Sequence, residues 1–172
     1  MRRKISEIHT LGPKGTNCEK AAYHYIKEKK LDAEVILHDS LESAVEVVLK
    51  KTSSALLGCV VYPDLHNIVF SNLENMQLGD VFLLDTYEMV LASREGVESE
   101  IKRVASHPAP QNLVPEGLDI QLCSSNAQAA HLCSSLEVDG CITTSEAARN
   151  KGLKLVRDFG KVKMGFSIHV HH

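Results

Sequence analysis

Short apolar runs alternate along the chain with longer stretches in which apolar residues recur every three or four positions. In the first half the predicted strands are EIHTL (7–11), EVILH (34–38) and SALLGCVVY (54–62), and the predicted helices are NCEKAAYHYIKEKK (17–30) and LESAVEVVLKK (41–51). The run at 54–62 is apolar throughout, which is typical of a strand buried on both faces. The helix at 41–51 has one apolar face, formed by Leu41, Ala44, Val45, Val48 and Leu49.

The second half continues this alternation after a less regular stretch. Residues 63–80 predict loop and turn, and VFLLDTYEMVLASR (81–94) predicts one long strand that crosses between two lobes. Further strands are predicted at 101–106, 119–123, 138–144, 153–159 and 164–170, and further helices at 109–117, 126–136 and 145–152. Alternating strands and helices indicate an α/β fold with largely parallel sheets.

The break near residues 76–80 divides the chain into two lobes. We expect the first lobe to contain residues 1–76 plus 159–172, with the last strands returning to it, and the second to contain residues 77–158. Such a chain crosses twice between the lobes and leaves a cleft, the kind of place that ligands favour.

Composition narrows the classes of function. The chain has 172 residues, 44% of them hydrophobic and 24% charged, with a net charge of -3, so no general affinity for nucleic acid or an anionic membrane is expected. No apolar run reaches the roughly 18–20 residues of a membrane span, and the first residues lack the apolar core of a signal peptide. These features favour the cytoplasm.

The cysteines and histidines do not form a metal-binding pattern. The five cysteines are odd in number and contain no CxxC pair, which argues against a disulfide framework and a structural zinc site. We expect small buried side chains, with a catalytic cysteine as the less favoured alternative. The histidines are scattered, so no metal site is predicted.

Three predicted helix starts carry a capping-box pattern. They are Thr16 to Glu19, Ser125 to Gln128, and Thr143 to Glu146. Each box can simply cap its helix. Alternatively, because helices of parallel α/β folds begin at the carboxyl ends of strands, several N-termini together can form an anion site without a charged side chain.

The residues around these helix starts fit a small mono- or dicarboxylate. Gly12 and Gly15 let the backbone approach a ligand, and Lys14 adds a positive charge or is simply exposed. Hydroxyl and amide groups are added by Ser124, Ser125 and Asn126. The turn TLGPKGT (10–16) lacks the spacing of known phosphate loops, so no nucleotide site is predicted.

A second polar cluster is SHPAPQNL (106–113). His107 follows a predicted strand and precedes a helix that starts at proline. It can donate a hydrogen bond to a carboxylate or act as a general acid; the alternative is a loop histidine satisfied by backbone groups. Asn112 lies about one helical turn further on and can face the same cleft.

Several of these segments, in order, resemble the prephenate dehydratase family. The matching segments are TLGPKGTNCEKAA (10–22), SLESAV (40–45), SHP (106–108), SSNAQAA (124–130) and GCITTSEAARNKGLKLV (140–156). Any one of them is weak, but together they cover nearly the whole chain.

The resemblance implies one catalytic domain of two α/β lobes, similar to type 2 periplasmic binding proteins, with the active site in the central cleft. It implies prephenate, a dicarboxylate, as the small-molecule partner, with no metal or organic cofactor, and a homodimer, since dimers are common in the family. The expected catalytic residues are His107, Thr16 and Ser125. The expected substrate-binding residues are Thr10, Gly12, Lys14, Gly15, Asn17, Ser106, Pro108, Asn112, Ser124, Asn126, Ala127, Met164 and Phe166.

The chain departs from the family at two motifs. Dehydratases carry Thr-Arg-Phe near the end of the catalytic domain, whereas this chain has Met164, Gly165 and Phe166. The Pro-x-Glu-Asn motif after the third strand is replaced by VVYPDLHNIVF (60–70). In these losses, and in having Pro110 and Asn112, the chain resembles the non-aromatising prephenate decarboxylases of bacilysin (anticapsin) biosynthesis.

The subfamily resemblance implies loss of CO2 with retention of the ring hydroxyl, because the Thr-Arg pair that helps the hydroxyl to leave is missing. Met164 and Phe166 can supply a less polar region around the ring carboxylate. His107 is the preferred proton donor, with a substrate-directed mechanism as the alternative. Two other functions remain open: a dehydratase in which a nearby hydroxyl such as Ser167 replaces the acid, and a binder without catalysis.

Overall fold

The computed structural model describes residues 4–172, which divide into two compact units. Unit 1 contains the chain up to Leu84 together with Lys163–His172, and unit 2 contains Asp85–Val162. The boundaries lie later in the chain than the expected lobe boundaries. Each unit holds a sheet of five strands in the described chain, with helices against it, so the fold is mixed α/β.

Unit 1 is built on the strand order β2-β1-β3-β10-β4. Its elements are β1 (Glu7–Leu11), α1 (Asn17–Lys29), β2 (Glu34–His38), α2 (Leu41–Val48), β3 (Ser54–Cys59), α3 (Leu65–Ser71), β4 (Met76–Asp85) and β10 (Lys163–His171). The first three strands are parallel, whereas β10 runs antiparallel to β3. The sheet is therefore mixed rather than purely parallel.

The two faces of this sheet bury different sides of the amphipathic elements. On one face, Ile8 and Ile168 contact residues of α1 such as Ala21. On the other face, Leu41 and Val48 of α2 are fully buried with Leu56, as the apolar spacing of that helix predicts.

Unit 2 has the strand order β7-β6-β8-β5-β9. Its elements are β5 (Met89–Ser93), β6 (Arg103–Ser106), a 3₁₀ turn (Gln111–Leu113), β7 (Asp119–Leu122), α4 (Asn126–Ser134), β8 (Gly140–Thr144), α5 (Ser145–Asn150) and β9 (Lys154–Gly160). The strands β7, β6 and β8 are parallel, and β5 runs antiparallel to β8 and β9.

Two predictions about the middle of the chain are wrong. Residues 63–80 contain helix α3 and the start of β4 rather than loop alone. The long strand predicted at 81–94 is two strands, because the chain leaves β4 after Asp85 and begins β5 at Met89. Thr86 accounts for the interruption: its N–H donates to the carbonyl of Val162 at 2.9 Å, and its hydroxyl accepts from the N–H of Val162.

None of the helices in residues 4–172 has the length and apolarity that crossing a bilayer requires.

Candidate active site

In unit 1 the turn after β1 leads directly into the start of α1. The N–H of Gly12 donates to the carbonyl of His38 at 2.7 Å, which fixes the turn beside the end of β2. Gly15 has φ of +86°, a conformation that side chains other than glycine rarely adopt. Gly12 is buried, whereas Lys14 is exposed. The turn thus offers backbone groups and one solvent-facing ammonium.

Thr16 is the N-cap of α1, as the capping pattern predicts. Its hydroxyl accepts from the N–H of Glu19 at 3.3 Å and donates to the carbonyl of Leu11 at 3.4 Å. The carboxylate of Glu19 accepts from the N–H of Gly15 at 2.6 Å, rather than from Thr16 itself. The box therefore holds both the helix start and the preceding turn in place.

Two other expected residues of unit 1 lie inside the structure. Thr10 is fully buried, and its hydroxyl donates to the carbonyl of Leu57 at 2.9 Å. Phe166 is also fully buried and stacks on Phe82, with 5.7 Å between ring centroids. Asn17, at the first position of α1, and Met164, on β10, are partly buried.

Gly165 lies where the family motif has an arginine. A β-carbon at this position would come within 3.1 Å of a methyl group of Val60. The strands are also joined here, since the N–H of Val60 donates to the carbonyl of Gly165 at 3.1 Å. The glycine is thus in close contact with the chain that follows β3.

In unit 2 the parallel strands β6 and β7 bring the SHP segment (106–108) close to the SSNAQAA segment (124–130). Ser106 is in register with Leu122, and the N–H of Cys123 donates to the carbonyl of Ser106 at 3.0 Å. Because both strands end at this edge, Ser106 and His107 lie beside the segment that leads into α4. Ser106 itself is fully buried, and its hydroxyl donates to the carbonyl of His107 at 2.9 Å.

The ring of His107 is held in one neutral form by its own loop. Its Nδ1 accepts from the N–H of Ala109 at 3.2 Å, so a neutral ring carries its proton on Nε2. Burial lowers the pKa of His107 from its usual value of 6.5. The ring is therefore a neutral hydrogen-bond donor at neutral pH.

The start of α4 is capped as predicted and also carries an unpaired acceptor. The hydroxyl of Ser125 accepts from the N–H of Gln128 at 3.0 Å. The Oδ1 atom of Asn126, one residue later, is buried without a hydrogen-bond partner among residues 4–172. Ser124 is exposed and Ala127 is partly buried against the core.

The prediction of the third capping box, from Thr143 to Glu146, is wrong by one residue. Thr144, not Thr143, caps α5, and its hydroxyl accepts from the N–H of Ala147 at 3.1 Å. Thr143 instead donates to the carbonyl of Asn126 at 2.6 Å, which joins the end of β8 to the start of α4. Pro108 and Asn112 are exposed on the loop and the 3₁₀ turn that follow β6.

A chain of polar side chains in unit 1 was missed in the sequence. Glu7 and His9 lie on one face of β1, and Nε2 of His9 is 3.2 Å from the carboxylate of Glu7. Nδ1 of His9 is 2.9 Å from Nε2 of His38, at the end of β2. The spacing of Glu7 and His9 in a predicted strand was the available signal, since alternate residues share a face.

Two units of this kind, each with helices that begin at the carboxyl ends of parallel strands, define the class of two-unit mixed α/β folds. The fold is similar to that of a periplasmic substrate-binding protein of an ABC transporter from Coxiella burnetii, with a TM-score of 0.59 and 15% identity over 96% of this chain and 84% of that one. The prediction of a periplasmic-binding-protein-like fold is confirmed.

Within that class the family is established by sequence. The family described as prephenate dehydratase matches residues 8–160, so the chain belongs to the prephenate dehydratase family, and the resemblance seen in the motifs is confirmed. The solved prephenate dehydratase from Arthrobacter aurescens, determined in complex with L-Phe, has a TM-score of 0.74 and 22% identity over 96% of this chain. The chain spans 60% of the length of that protein.

The chain is also similar to a protein named prephenate decarboxylase in Bacillus subtilis (strain 168). The two are 29% identical over 180 residues, which cover 96% of this chain and 86% of the relative.

Proposed function

We propose that the chain decarboxylates prephenate without forming an aromatic ring. The bond between the ring and its carboxylate breaks, CO2 leaves, the electron pair enters the ring system and a proton is added at the distal ring carbon. The hydroxyl group stays, and the product is a dihydro-4-hydroxyphenylpyruvate. The name of the Bacillus subtilis relative supports this reaction.

The observation that carries the proposal is the Met164–Gly165 pair. A dehydratase needs an acid where the hydroxyl leaves, and the family supplies a threonine and an arginine there. In this chain the first position is a thioether, and the second is a glycine whose β-carbon would lie 3.1 Å from Val60. The proposed enzyme therefore lacks the group that would assist departure of the hydroxyl.

The neighbouring hydroxyl does not replace that acid. Ser167 is buried, and its Oγ is 2.9 Å from Nε2 of His169 and 3.4 Å from the carbonyl of Gly58. Because this hydroxyl is engaged inside unit 1, the dehydratase alternative through Ser167 has no support from the geometry.

We assign His107 a hydrogen bond to a substrate carboxylate rather than proton transfer. Its Nε2–H is directed by the bond that Nδ1 accepts from Ala109, and its lowered pKa favours the neutral ring. A neutral imidazole is a poor acid but a good donor to an anion. The proton that replaces CO2 then comes from solvent, as in the substrate-directed mechanism.

The start of α4 is the proposed partner of His107 in unit 2. Ser125 caps the helix, Ser124 is exposed beside it, and Asn126 has a buried amide oxygen without a partner in the described chain. Together with the free N–H groups of the first helical turn, these groups suit a carboxylate and an adjacent polar group. In unit 1 the proposed contacts are the Gly12–Gly15 turn, the cap Thr16 and the neighbouring Asn17.

A role in antibiotic or other secondary metabolism, a cytoplasmic location and a homodimer complete the proposal. The metabolic role and the homodimer are inferred from the resemblance to the bacilysin-type decarboxylases and their family. The cytoplasmic location is supported by the five free thiols, which suit a reducing compartment.

The test is to mix the purified protein with prephenate at neutral pH and to follow the product by NMR and ultraviolet absorbance. Non-aromatic ring protons and a retained hydroxyl are expected, and His107→Phe should slow their appearance. His131→Phe, at an exposed position in the last turn of α4, is the matched control. Phenylpyruvate formed faster than without enzyme would restore the dehydratase. Thermal protection by prephenate without turnover would leave a binding protein.

A further inference from the structure

The polar chain of unit 1 runs from a carboxylate at the start of β1 to an imidazole at the end of β2. Glu7 accepts from the ammonium of Lys51 and, at 2.9 Å, from the hydroxyl of Ser54. The same carboxylate contacts Nε2 of His9, which is only 1% exposed. His9 in turn contacts His38, and their ring centroids are 5.1 Å apart.

When both rings are neutral, the charge of Glu7 determines which nitrogen of each ring carries the proton. The bonds from Lys51, Ser54 and His9 lower the pKa of Glu7 to about 2, so the carboxylate is ionised and can only accept. Nε2 of His9 must therefore donate to it. A neutral His9 then has a bare Nδ1, which can only accept from Nε2–H of His38.

As a result, Nδ1 of His38, the last side chain of this polar series, carries no proton. With the proton of His38 on Nε2, its Nδ1 is an acceptor, and no residue from 4 to 172 donates to it. The ring is partly buried rather than enclosed. Burial, and after it the His9 ring, lower the pKa of His38, and this favours the neutral ring. Asp39 has a weaker effect in the opposite direction.

His38 lies beside the turn to which the family motif belongs. Its main-chain carbonyl accepts from the N–H of Gly12 at 2.7 Å, and it ends β2 at the same edge where β1 ends at Leu11. A ligand at this turn that reaches Nδ1 has to present a hydrogen-bond donor. This requirement excludes carboxylates and keto groups.

We propose that Nδ1 of His38 accepts a hydrogen bond from the ring hydroxyl of the substrate, and that Glu7 and His9 act as positioning residues that fix this acceptor. The assignment rests on the proposed function, because the ring hydroxyl is the only O–H group of ionised prephenate. A hydroxyl that donates to a neutral base receives no proton, and so it remains a poor leaving group. His38 thus contributes to retention of the hydroxyl.

The first test uses nitrogen-15 NMR of the histidine rings in the whole protein, without substrate. Both His9 and His38 are expected in the form with the proton on Nε2. Glu7→Gln should disturb these forms, because an amide can donate as well as accept. A proton on Nδ1 of His38 in the wild-type protein would overturn the proposal.

The second test is a titration of the same sample with prephenate. The Nδ1 resonance of His38 should move as a hydrogen bond forms, while the resonances of the exposed ring of His131, in the last turn of α4, stay in place. The expected product keeps the hydroxyl, so turnover does not erase the effect. An unmoved Nδ1 at saturation overturns the proposal even if prephenate is decarboxylated. Turnover itself is scored separately and decides the proposed function.

Two variants complete the test by kinetics. His38→Phe should raise KM roughly 2- to 10-fold, the range expected for one neutral hydrogen bond. His38→Asn places an amide oxygen near the former Nδ1 and should recover part of the loss. If Phe and Asn give the same KM as the wild type, the acceptor role is excluded.

Discussion

Gly165 and Val60 are in such close contact that a β-carbon on the glycine would lie 3.1 Å from a valine methyl group. We expect the two positions to be energetically coupled. Gly165→Ala should be less favourable in the wild type than in a Val60→Ala background, by roughly 0.5–1 kcal/mol, because shortening Val60 removes the crowding. Urea denaturation of the four proteins measures this coupling. If the effects of the two substitutions on the free energy of unfolding are additive, the side chain of Val60 moves aside without an energetic cost and the positions are not coupled.

Thr16 should act on both stability and substrate affinity. Thr16→Ala removes the acceptor for the N–H of Glu19 and should lower the free energy of unfolding by about 1 kcal/mol. Thr16→Ser should retain both hydrogen bonds. Because the same hydroxyl orders the turn of Gly12 and Gly15, prephenate affinity should fall with Thr16→Ala as well.

Ser40→Ala is the matched control for that prediction. Ser40 caps α2 in the same way, with its hydroxyl accepting from the N–H of Ser43 at 3.1 Å. Its loss should cost similar stability without weakening prephenate binding, as measured by calorimetry. Equal losses of affinity in both variants would contradict a binding role for the turn.

Glu7 should make unit 1 sensitive to acid. Its pKa is lowered from 4.5 to about 2 in the folded protein, so the unfolded chain binds a proton before the folded chain does. The stabilisation is fully present above pH 4.5 and is lost as the pH falls towards about 2. The destabilisation caused by Glu7→Gln should therefore be largest above pH 4.5 and shrink below it.

Urea denaturation of wild type and variant at several pH values tests this dependence. Among its partners, Lys51 lowers the pKa of Glu7 most, followed by Ser54. Lys51→Met should consequently reproduce more of the pH effect than Ser54→Ala. A destabilisation by Glu7→Gln that is constant with pH would be inconsistent with a lowered pKa.

His107 should tolerate glutamine better than asparagine. Glutamine can place an amide N–H near the position of Nε2, whereas asparagine mimics Nδ1, which only serves the loop through Ala109. We expect kcat/KM to be roughly 10-fold or more lower for His107→Asn than for His107→Gln, as for a hydrogen bond to a charged group.

The pH profile separates this donor from a general acid. If neutral His107 donates to a carboxylate, kcat/KM should not fall between pH 6.5 and pH 8 on account of this residue. A general acid with a lowered pKa would lose its proton across or below that range, and activity would decline as the pH rises. A decline that disappears in His107→Gln would favour the acid.

Local patterns predicted the parts of the fold that local physics determines. The apolar face of α2 and the caps Thr16 and Ser125 depend on residues within one turn of helix, and all three are confirmed. The choice between Thr143 and Thr144 is not local, because either hydroxyl can cap. The contact of Thr143 with Asn126, 17 residues away, decides it.

The missed elements have weak patterns for physical reasons. Helix α3 buries only Ile68 among its residues, so it lacks a recognisable apolar face. Strand β4 lies at the edge of its sheet and is largely exposed, with Gly79 and Asp80 inside it that resemble a turn. The hydrogen-bonded side chains Glu7, His9 and His38 lie on two different strands, β1 and β2. The pairing of these strands cannot be read from either segment alone.

An isotopic label on the oxygen of the ring hydroxyl distinguishes loss of CO2 alone from loss of CO2 together with water. Prephenate labelled with oxygen-18 at this position is converted by the purified protein, and the product and the water are analysed by mass spectrometry. The decarboxylase account predicts that CO2 is released while the label stays in a non-aromatic product. Label released to water together with phenylpyruvate would contradict the account and show that the hydroxyl leaves with CO2.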